Sequence, residues 1–250
     1  MTKPLLPIKL NKEPLIDAIF ELRFISQVEV SEILPGIFFS YLQGNKSLSL
    51  LPASQLPKAM RDKDPSLIFA HTTQIVWANF LINIGNRSVA VNCKLPYSGW
   101  IKFKEAISQV LHIMEQSKLI ECVERCSIKY IDLLESTSIR EQIGFLNFAC
   151  ELAGENLDSY PLMVRVEKEV DGTMNIVQLM AAAKVQIKDT PAKEGIVVDV
   201  DTIIDTKNCS IFDFVEKSDN YLEHLHAINK KLFFDCLNTR AIEMLEPIYE

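Results

Sequence analysis

The chain presents the same order of segments twice, and this repetition restricts how it can fold more than any other feature. Each half begins with a strand-like segment, continues with a helix-like one, gives three further strands and ends with an amphipathic helix. The first set occupies residues 15–118 and the second occupies residues 122–240. A repeat of roughly a hundred residues is too long for a solenoid and fits a duplicated domain. The sequence therefore predicts two similar βαβββα halves.

Alternating polarity supports the strands at corresponding places in the two halves. In Leu15–Ile25, Phe20 and Leu22 fall on one side of the strand while Glu21 and Arg23 fall on the other. The dipeptides Gly85-Asn86 and Asp171-Gly172 predict a hairpin turn in each half. We expect these turns to join equivalent pairs of strands.

The remaining segments follow from periodicity and from the position of Gly and Pro. The sequence predicts helices over 31–43, 100–116, 138–153 and 211–237, an irregular stretch over 44–66, short strands over 67–72 and 88–94, and longer strands over 74–84, 124–134, 163–170, 175–187 and 195–204. In this interpretation Gly44 and Gly154 end the first and third helices.

Antiparallel strands followed by packing helices predict an α+β protein. We expect one structural module: a curved, mainly antiparallel sheet with helices packed on one face. Residues 1–14 form an extended lead-in and residues 241–250 a C-terminal tail. The stripes that face inward predict a core that includes Trp77, Phe80, Leu179, Ala181, Leu225 and Leu232.

Composition narrows the classes of function. The 250 residues include 26 basic and 33 acidic side chains, a net charge of −7, which argues against a protein that binds nucleic-acid backbones. The first residues lack a signal-peptide pattern, and there is no apolar run long enough to span a membrane. We therefore expect a cytoplasmic protein whose six cysteines are reduced and behave as small hydrophobic residues.

Four segments together resemble a family of bacterial proteins of about this size, sporadically distributed and with no assigned activity. They begin at Glu13 (EPLIDAIFELRF), Arg125 (RCSIKYID), Leu225 (LHAINKKLFFDCLN) and Met244 (MLEP), in that order along the chain. The family's middle motif more usually carries an Arg-Tyr pair where Lys129 and Tyr130 stand here. The resemblance implies a single full-length module encoded near mobile or defence genes. It transfers no catalytic residue.

Carboxylates on one strand form the first candidate site. Asp199 and Asp201 point to the same side of a strand, about 7 Å apart, and Asp205 joins them if the strand extends that far. Such a row suits a hard divalent cation, or an acid and base pair if burial separates their pKa values. The alternative, which we favour, is a solvent-facing polar side of a strand, so we expect no metal ligand here.

Charged residues on the first strand of each half form the second candidate site. Glu21, Arg23 and Lys129 lie on the polar faces of these strands. If the halves pair about a pseudo-twofold axis, a charged concave platform results beside the strand of Asp199 and Asp201. A cross-strand ladder of ion pairs with no ligand is the alternative.

Motifs for covalent catalysis and phosphate binding are missing from the sequence. It contains no Gly-x-Ser-x-Gly and no glycine-rich phosphate loop, and only eight glycines in all. We therefore expect no cofactor and no catalytic residue. The preferred hypothesis is a non-enzymatic binding or scaffolding protein with a protein partner, a small ligand or a second copy of itself. The alternatives are a metal-dependent hydrolase or nuclease using Asp199 and Asp201, and a nucleic-acid binder using the sheet face.

Overall fold

Strands supply most of the regular structure. The computed structural model describes residues 6–186 and 191–249. Its strands are β1 (Lys9–Leu10), β2 (Leu15–Ile25), β3 (Lys46–Leu50), β4 (His71–Trp77), β5 (Phe80–Gly85), β6 (Ser88–Cys93), β7 (Cys122–Glu135), β8 (Glu151–Leu152), β9 (Glu155–Asn156), β10 (Met163–Val170), β11 (Thr173–Val185), β12 (Lys193–Ser210) and β13 (Pro247–Ile248). Its α-helices are α1 (Val30–Tyr41), α2 (Lys58–Lys63), α3 (Trp100–Ser117), α4 (Ile139–Ile143), α5 (Ile211–Cys236) and α6 (Thr239–Met244).

The longer strands form a large sheet, which confirms the α+β class. Within the described ranges its strand order is β10-β11-β12-β7-β2-β6-β5-β4-β3. The hairpins β4–β5, β5–β6 and β10–β11 are antiparallel, as is the pairing of β2 with β6. β1 pairs with β13, and β8 pairs with β9, in two small separate sheets.

Contacts divide the chain into two compact units, and their boundaries cross several elements. Unit 1 comprises residues 1–16, 129–202 and 226–250, and unit 2 comprises residues 17–128 and 203–225. Both units contain residues of β2, β7, β12 and α5. Each unit has its own core.

In unit 2, α1 and α3 pack on one face of the strands. α1 contacts β4, β5 and α3, and α3 also contacts β6. Phe20, Leu22 and Phe24 are fully buried, and so are Phe38 of α1 and Phe103 of α3. The alternation that identifies β2 in the sequence is therefore the alternation between this core and the opposite, polar face.

In unit 1, α4, the second half of α5 and α6 share a core with β11 and β12. Val177 and Leu179 of β11 and Ile196 of β12 pack with Ile228 and Leu232 of α5. The six predicted core residues are all buried across the two units, including Leu225 with no exposed surface. Residues 1–5, Ile187 and Glu250, which belong to the predicted lead-in, last hairpin strand and tail, lie outside the described residues.

The prediction of one apolar strand over 74–84 is wrong. The chain reverses at Ala78 and Asn79, so that Trp77 pairs with Phe80 and two strands replace one. Ala78 takes a φ of 47° at this turn, a conformation for which Gly or Asn is the usual residue. Because the turn contains no Gly, its sequence gives no hairpin signal.

Three other predictions need correction. The predicted strand over 67–72 is mostly turn, because residues 65–69 form turns and β4 begins only at His71. The stretch 44–66 is regular in part, because β3 precedes Pro52 and α2 lies between Pro57 and Pro65. The predicted helix over 138–153 is only the short α4, with Gly144 at its C-cap. Gly154 does not end a helix: Ala153 and Gly154 both have positive φ and form the turn between β8 and β9.

No helix in residues 6–186 and 191–249 is both long enough and apolar enough to cross a bilayer. All six cysteines are unpaired, and each is buried or half-buried as predicted.

Candidate functional site

Unit 2 holds Glu21 and Arg23 as a bidentate ion pair on β2. Arg23 Nε donates to Glu21 Oε1 at 2.9 Å, and its Nη2 donates to Oε2 at 3.3 Å. The pair is half-buried, with 24% of the Arg23 side chain and 19% of the Glu21 side chain exposed. Residues two apart on a strand point the same way, which is why the sequence predicts this proximity.

Further residues gather around this pair. Arg125 of β7 lies 3.7 Å from Glu21, and the guanidinium of Arg23 lies 3.9 Å from the centre of the Phe69 ring, in cation–π contact. Arg87 pairs with Glu124 at 2.8 Å and its guanidinium lies 5.5 Å from the same ring. We call the Arg23 cluster the set Glu21, Arg23, Phe69, His71, Arg87, Glu124 and Arg125.

His71 is the cluster's histidine. The pKa of the His71 imidazole is lowered, mainly by burial. The negative charge of Glu21 acts in the opposite direction, and the positive charge of Arg23 lowers the pKa further. Its Nε2 is buried and makes no hydrogen bond within the described part of the chain. The imidazole is therefore neutral at physiological pH, and the cluster's charge comes from three arginines and two glutamates.

A row of polar side chains crosses four strands of unit 2. Gln74 Nε2 donates to Asn83 Oδ1 at 2.8 Å, Asn83 Nδ2 donates to Asn92 Oδ1 at 2.9 Å, and Asn92 Nδ2 donates to Asp17 Oδ1 at 3.3 Å. Asp17 accepts at the end of the row, and each amide in turn donates toward it. We call these four residues the amide row.

Strand register places the amide row and the charged pair on the same face of unit 2. Asn92 lies opposite Ile19, and Ser88 lies opposite Arg23. Ile19, Glu21 and Arg23 are alternate residues of β2, so they share one face. That face is opposite the one where Phe20 and Leu22 enter the core. We call it the polar face of unit 2.

Unit 1 holds Lys129, Asp199 and Asp201, and here burial differs from the expectation. Lys129 Nζ lies 2.8 Å from Asp199 Oδ2, which also accepts from Gln178 Nε2 at 3.1 Å. Only 7% of the Asp199 side chain is exposed, so the predicted solvent-facing position is wrong for this residue. Asp199 Oδ1 is buried and accepts no hydrogen bond from the described residues.

A second buried acid lies near Asp199. Burial raises the pKa of Asp132 well above its usual range, and the negative charges of Glu13 and Asp199 raise it further. Asp132 is therefore protonated at a pH where ordinary aspartates are ionised. We call Lys129, Asp132, Gln178 and Asp199 the Asp199 cluster.

The predicted carboxylate row does not assemble into a metal centre in the described ranges. No group of three or more His, Cys, Asp or Glu residues there is arranged to hold a metal ion. Asp205 is exposed in unit 2, where its Oδ1 accepts from the backbone N–H of Lys207 at 2.8 Å. Asp199 Oδ2 pairs with the ammonium group of Lys129.

Sequence reasoning missed Arg125, Phe69, His71 and the amide row. The signal for the row was present in the polar interruptions Asn83 and Asn92 of otherwise apolar strands. Arg125 and Phe69 carried no such signal, because strand pairing and a loop bring them to Glu21 and Arg23. In unit 1, His226 Nδ1 lies 3.2 Å from the hydroxyl of Tyr130.

No protein-family model matches this chain. No curated protein sequence matches it either.

Proposed function

We propose that this protein is a non-enzymatic binding module that recognises a protein partner through the polar face of unit 2. The proposal rests on one observation. Half-buried hydrogen-bonding groups lie side by side on four neighbouring strands of the sheet, β4, β5, β6 and β2. Gln74, Asn83 and Asn92 are held by one another, and Arg23 is held by Glu21 and Phe69. Groups fixed in this way lose little side-chain entropy when a partner binds.

The dimensions of this face favour a protein over a small molecule. Four neighbouring strands about 4.8 Å apart present donors and acceptors across roughly 14 Å. Small-molecule sites are concave and mostly apolar, whereas this array is polar and lies on a sheet face. A separate groove of about 580 Å³ in unit 2 is lined by Tyr41, Lys104 and His112, away from these residues.

Charge defines the chemistry of the partner. The Arg23 cluster has three arginines and two glutamates, a local excess of positive charge on a chain whose net charge is −7. Arginine binds carboxylates in bidentate geometry and is enriched at protein interfaces. The expected partner presents carboxylates to the arginines and backbone or amide groups to the amide row.

Strand order supports the proposal that the two halves arose by duplication. In the first half the order β2-β6-β5-β4 runs from the opening strand outward, and in the second half the order is β7-β12-β11-β10. These are the same order of equivalent strands, with β3 added in the first half. The predicted turns are not equivalent, however, because the turn after Gly85 joins β5 to β6 whereas Asp171-Gly172 joins β10 to β11. We further propose a bacterial setting near mobile or defence genes, on the sequence resemblance alone.

A pair of matched arginine variants tests the binding proposal. Arg23 pairs with Glu21 and Arg165 pairs with Glu167, each two residues away on its own strand, but the Arg165 pair is about half exposed on β10. Wild type, Arg23→Ala and Arg165→Ala are each used to capture proteins from the native host. The captured protein is then identified, purified and titrated by calorimetry.

We expect Arg23→Ala to weaken the purified complex at least about tenfold, as for a central interface arginine, and Arg165→Ala to leave it within about twofold. A complex equally tight for Arg23→Ala contradicts the role of the polar face. Labelled 30-nucleotide DNA and RNA serve as further probes, and tight binding to either favours the nucleic-acid alternative. A rise in melting temperature with Mn²⁺, lost in Asp199→Asn with Asp201→Asn, favours the metal-dependent alternative.

A further inference from the structure

Among the residues that the structure describes, the outer strand β3 has a neighbouring strand on one side only. That neighbour is β4, in the register Lys46↔Trp77 through Leu50↔Thr73. The backbone N–H of Leu51 donates to the carbonyl of Thr72 at 2.8 Å, in continuation of that register. Because hydrogen-bonded pairs alternate in an antiparallel ladder, Ser47 and Ser49 also bond to β4.

It follows that the backbone groups of Lys46, Leu48 and Leu50 point away from β4. Alternate residues of an edge strand direct their N–H and C=O groups outward, ready to pair with another strand. Pro52 follows directly after Leu51 and has no N–H to continue the ladder. The outward edge therefore consists of three residues at alternate positions.

The side chains around this edge are apolar and exposed. Leu48 is 46% exposed and Leu50 is 71% exposed, and Phe39 of α1 is 43% exposed beside Lys46. Lys46 is the one charged residue of β3. Edge strands of monomeric proteins are usually protected by charged side chains, Pro or bulges, and β3 has little such protection.

We propose that two copies of this chain associate through antiparallel pairing of β3 with β3, about a two-fold axis at Leu48. In this register Leu48 faces Leu48 of the second copy, and Lys46 faces Leu50. The backbone groups of Lys46, Leu48 and Leu50, which point away from β4, then lie opposite the same set of groups in the second copy. Each pair of facing residues exchanges two N–H···O bonds. A two-fold axis is the usual symmetry of soluble dimers.

Charge and side-chain placement favour a second copy as the occupant. The two Lys46 residues stand about 14 Å apart in this register, beyond the Debye length of about 8 Å at physiological salt. Leu48 meets Leu48, Leu50 meets the aliphatic stem of Lys46, and Ser47 faces Ser49. A strand of only five residues gives a small interface, so the dimer is weak and forms at high protein concentration.

Sedimentation velocity on the full chain from 5 to about 500 µM tests the association. We expect wild type to shift reversibly from monomer to dimer over this range, and Leu48→Lys to remain monomeric because two lysines face each other directly at the axis. Both proteins should have the same circular dichroism spectrum, since Leu48 is exposed. A wild type that stays monomeric at the highest concentration overturns the proposal.

A charge exchange tests the register itself. Ser47→Lys with Ser49→Lys, and Ser47→Glu with Ser49→Glu, each place like charges opposite one another across the axis. We expect each variant alone to dimerise at least about tenfold more weakly than wild type, and an equimolar mixture to form the heterodimer. The matched variant Ser47→Lys with Ser49→Glu faces opposite charges and should dimerise more tightly.

The outcomes separate this interface from others. Dimerisation that is unaffected by these changes assigns the contact to another surface and contradicts the proposal. Dimers of Arg23→Ala that are as tight as wild type support it, because the polar face of unit 2 is not involved. A further outcome is a purified protein that competes with dimerisation of wild type and fails to bind Leu48→Lys. In that outcome this protein, and not a second copy of the chain, occupies the edge of β3, and the proposal is overturned.

Discussion

The Arg23 cluster in unit 2 and the Asp199 cluster in unit 1 both pair acidic with basic side chains but differ in burial. In the Arg23 cluster each glutamate meets an arginine while about a fifth to a third of each side chain stays exposed. In the Asp199 cluster one half-buried lysine meets an aspartate that is almost wholly buried, with Asp132 close by. The first arrangement is accessible to a partner and the second is not.

This difference assigns different roles to the two clusters. A buried carboxylate has lost its water, so its cation and its amide partner replace hydration and their removal is costly. Half-exposed ion pairs keep part of their hydration and contribute little to stability. We therefore expect mutations in the Asp199 cluster to change folding, and mutations in the Arg23 cluster to change binding.

Removal of Lys129 should have the largest effect on stability. Lys129→Met leaves Asp199 buried with only Gln178 as a partner, and should lower the free energy of unfolding by about 3 kcal/mol. Urea denaturation at pH 7 measures the change. The control is Lys193→Met, because the ion pair of Lys193 with Glu135 is exposed and its loss should cost less than about 1 kcal/mol.

A double variant completes this test. Lys129→Met with Asp199→Asn removes both charges and should recover part of the lost stability. Equal costs for Lys129→Met and Lys193→Met would remove the distinction between buried and exposed pairs.

The raised pKa of Asp132 predicts a pH dependence. Because the folded state favours the protonated acid, its contribution to stability is complete below the unfolded pKa of about 3.9 and is lost as the pH rises through the folded value. Wild type should therefore lose stability relative to Asp132→Asn as the pH rises above 4, by at most about 1.4 kcal/mol per pH unit. Urea denaturation at several pH values measures this difference. Parallel curves would show that Asp132 titrates normally.

The amide row should contribute an intermediate amount. Asn83→Leu removes the acceptor of Gln74 and the donor to Asn92, but water replaces both because the row is half-buried. The expected cost is about 1 kcal/mol by thermal or urea unfolding. A double-mutant cycle with Asn92→Leu should show that the two residues are coupled, whereas additive costs would show that the row does not act as a unit.

The smallest effect on stability is expected at Glu21. Glu21→Gln keeps the shape of the side chain and removes the charge shared by Arg23 and Arg125, at a cost of about 0.5 kcal/mol in urea unfolding. The same change should alter the affinity for the partner by more than it alters stability. A cost near that of Lys129→Met would assign the Arg23 cluster a structural role as well.

Local periodicity was sufficient to predict much of the fold. β2, α3, α5 and the hairpin of β10 with β11 were predicted to within a few residues, because each pattern is set by backbone geometry over neighbouring positions. The shared face of Glu21 and Arg23 followed from the same alternation, whereas their ion pair was not predicted. The turn at Ala78 could not be predicted, because its positive φ is imposed by strands on both sides.

The candidate sites were predictable only in part. Asp199 was recognised as a chemically interesting residue, but its burial and its contact with Lys129 depend on how β7, β11 and β12 lie against one another. Arg125, Phe69 and His71 reach β2 from distant parts of the chain. Their gathering is a property of strand order, which the residue pattern does not specify.

The sequence by itself determined which residues alternate along a strand such as β2, which side of that strand is polar, and where long periodic elements such as α3 and α5 lie. These follow from short-range stereochemistry, because a side chain's direction depends on its own backbone and its neighbours. The tertiary structure alone decided that Asp199 is buried while Glu21 and Arg23 remain accessible, and that β3 has an open edge. The physical reason is that burial and strand pairing depend on contacts between residues far apart in the chain.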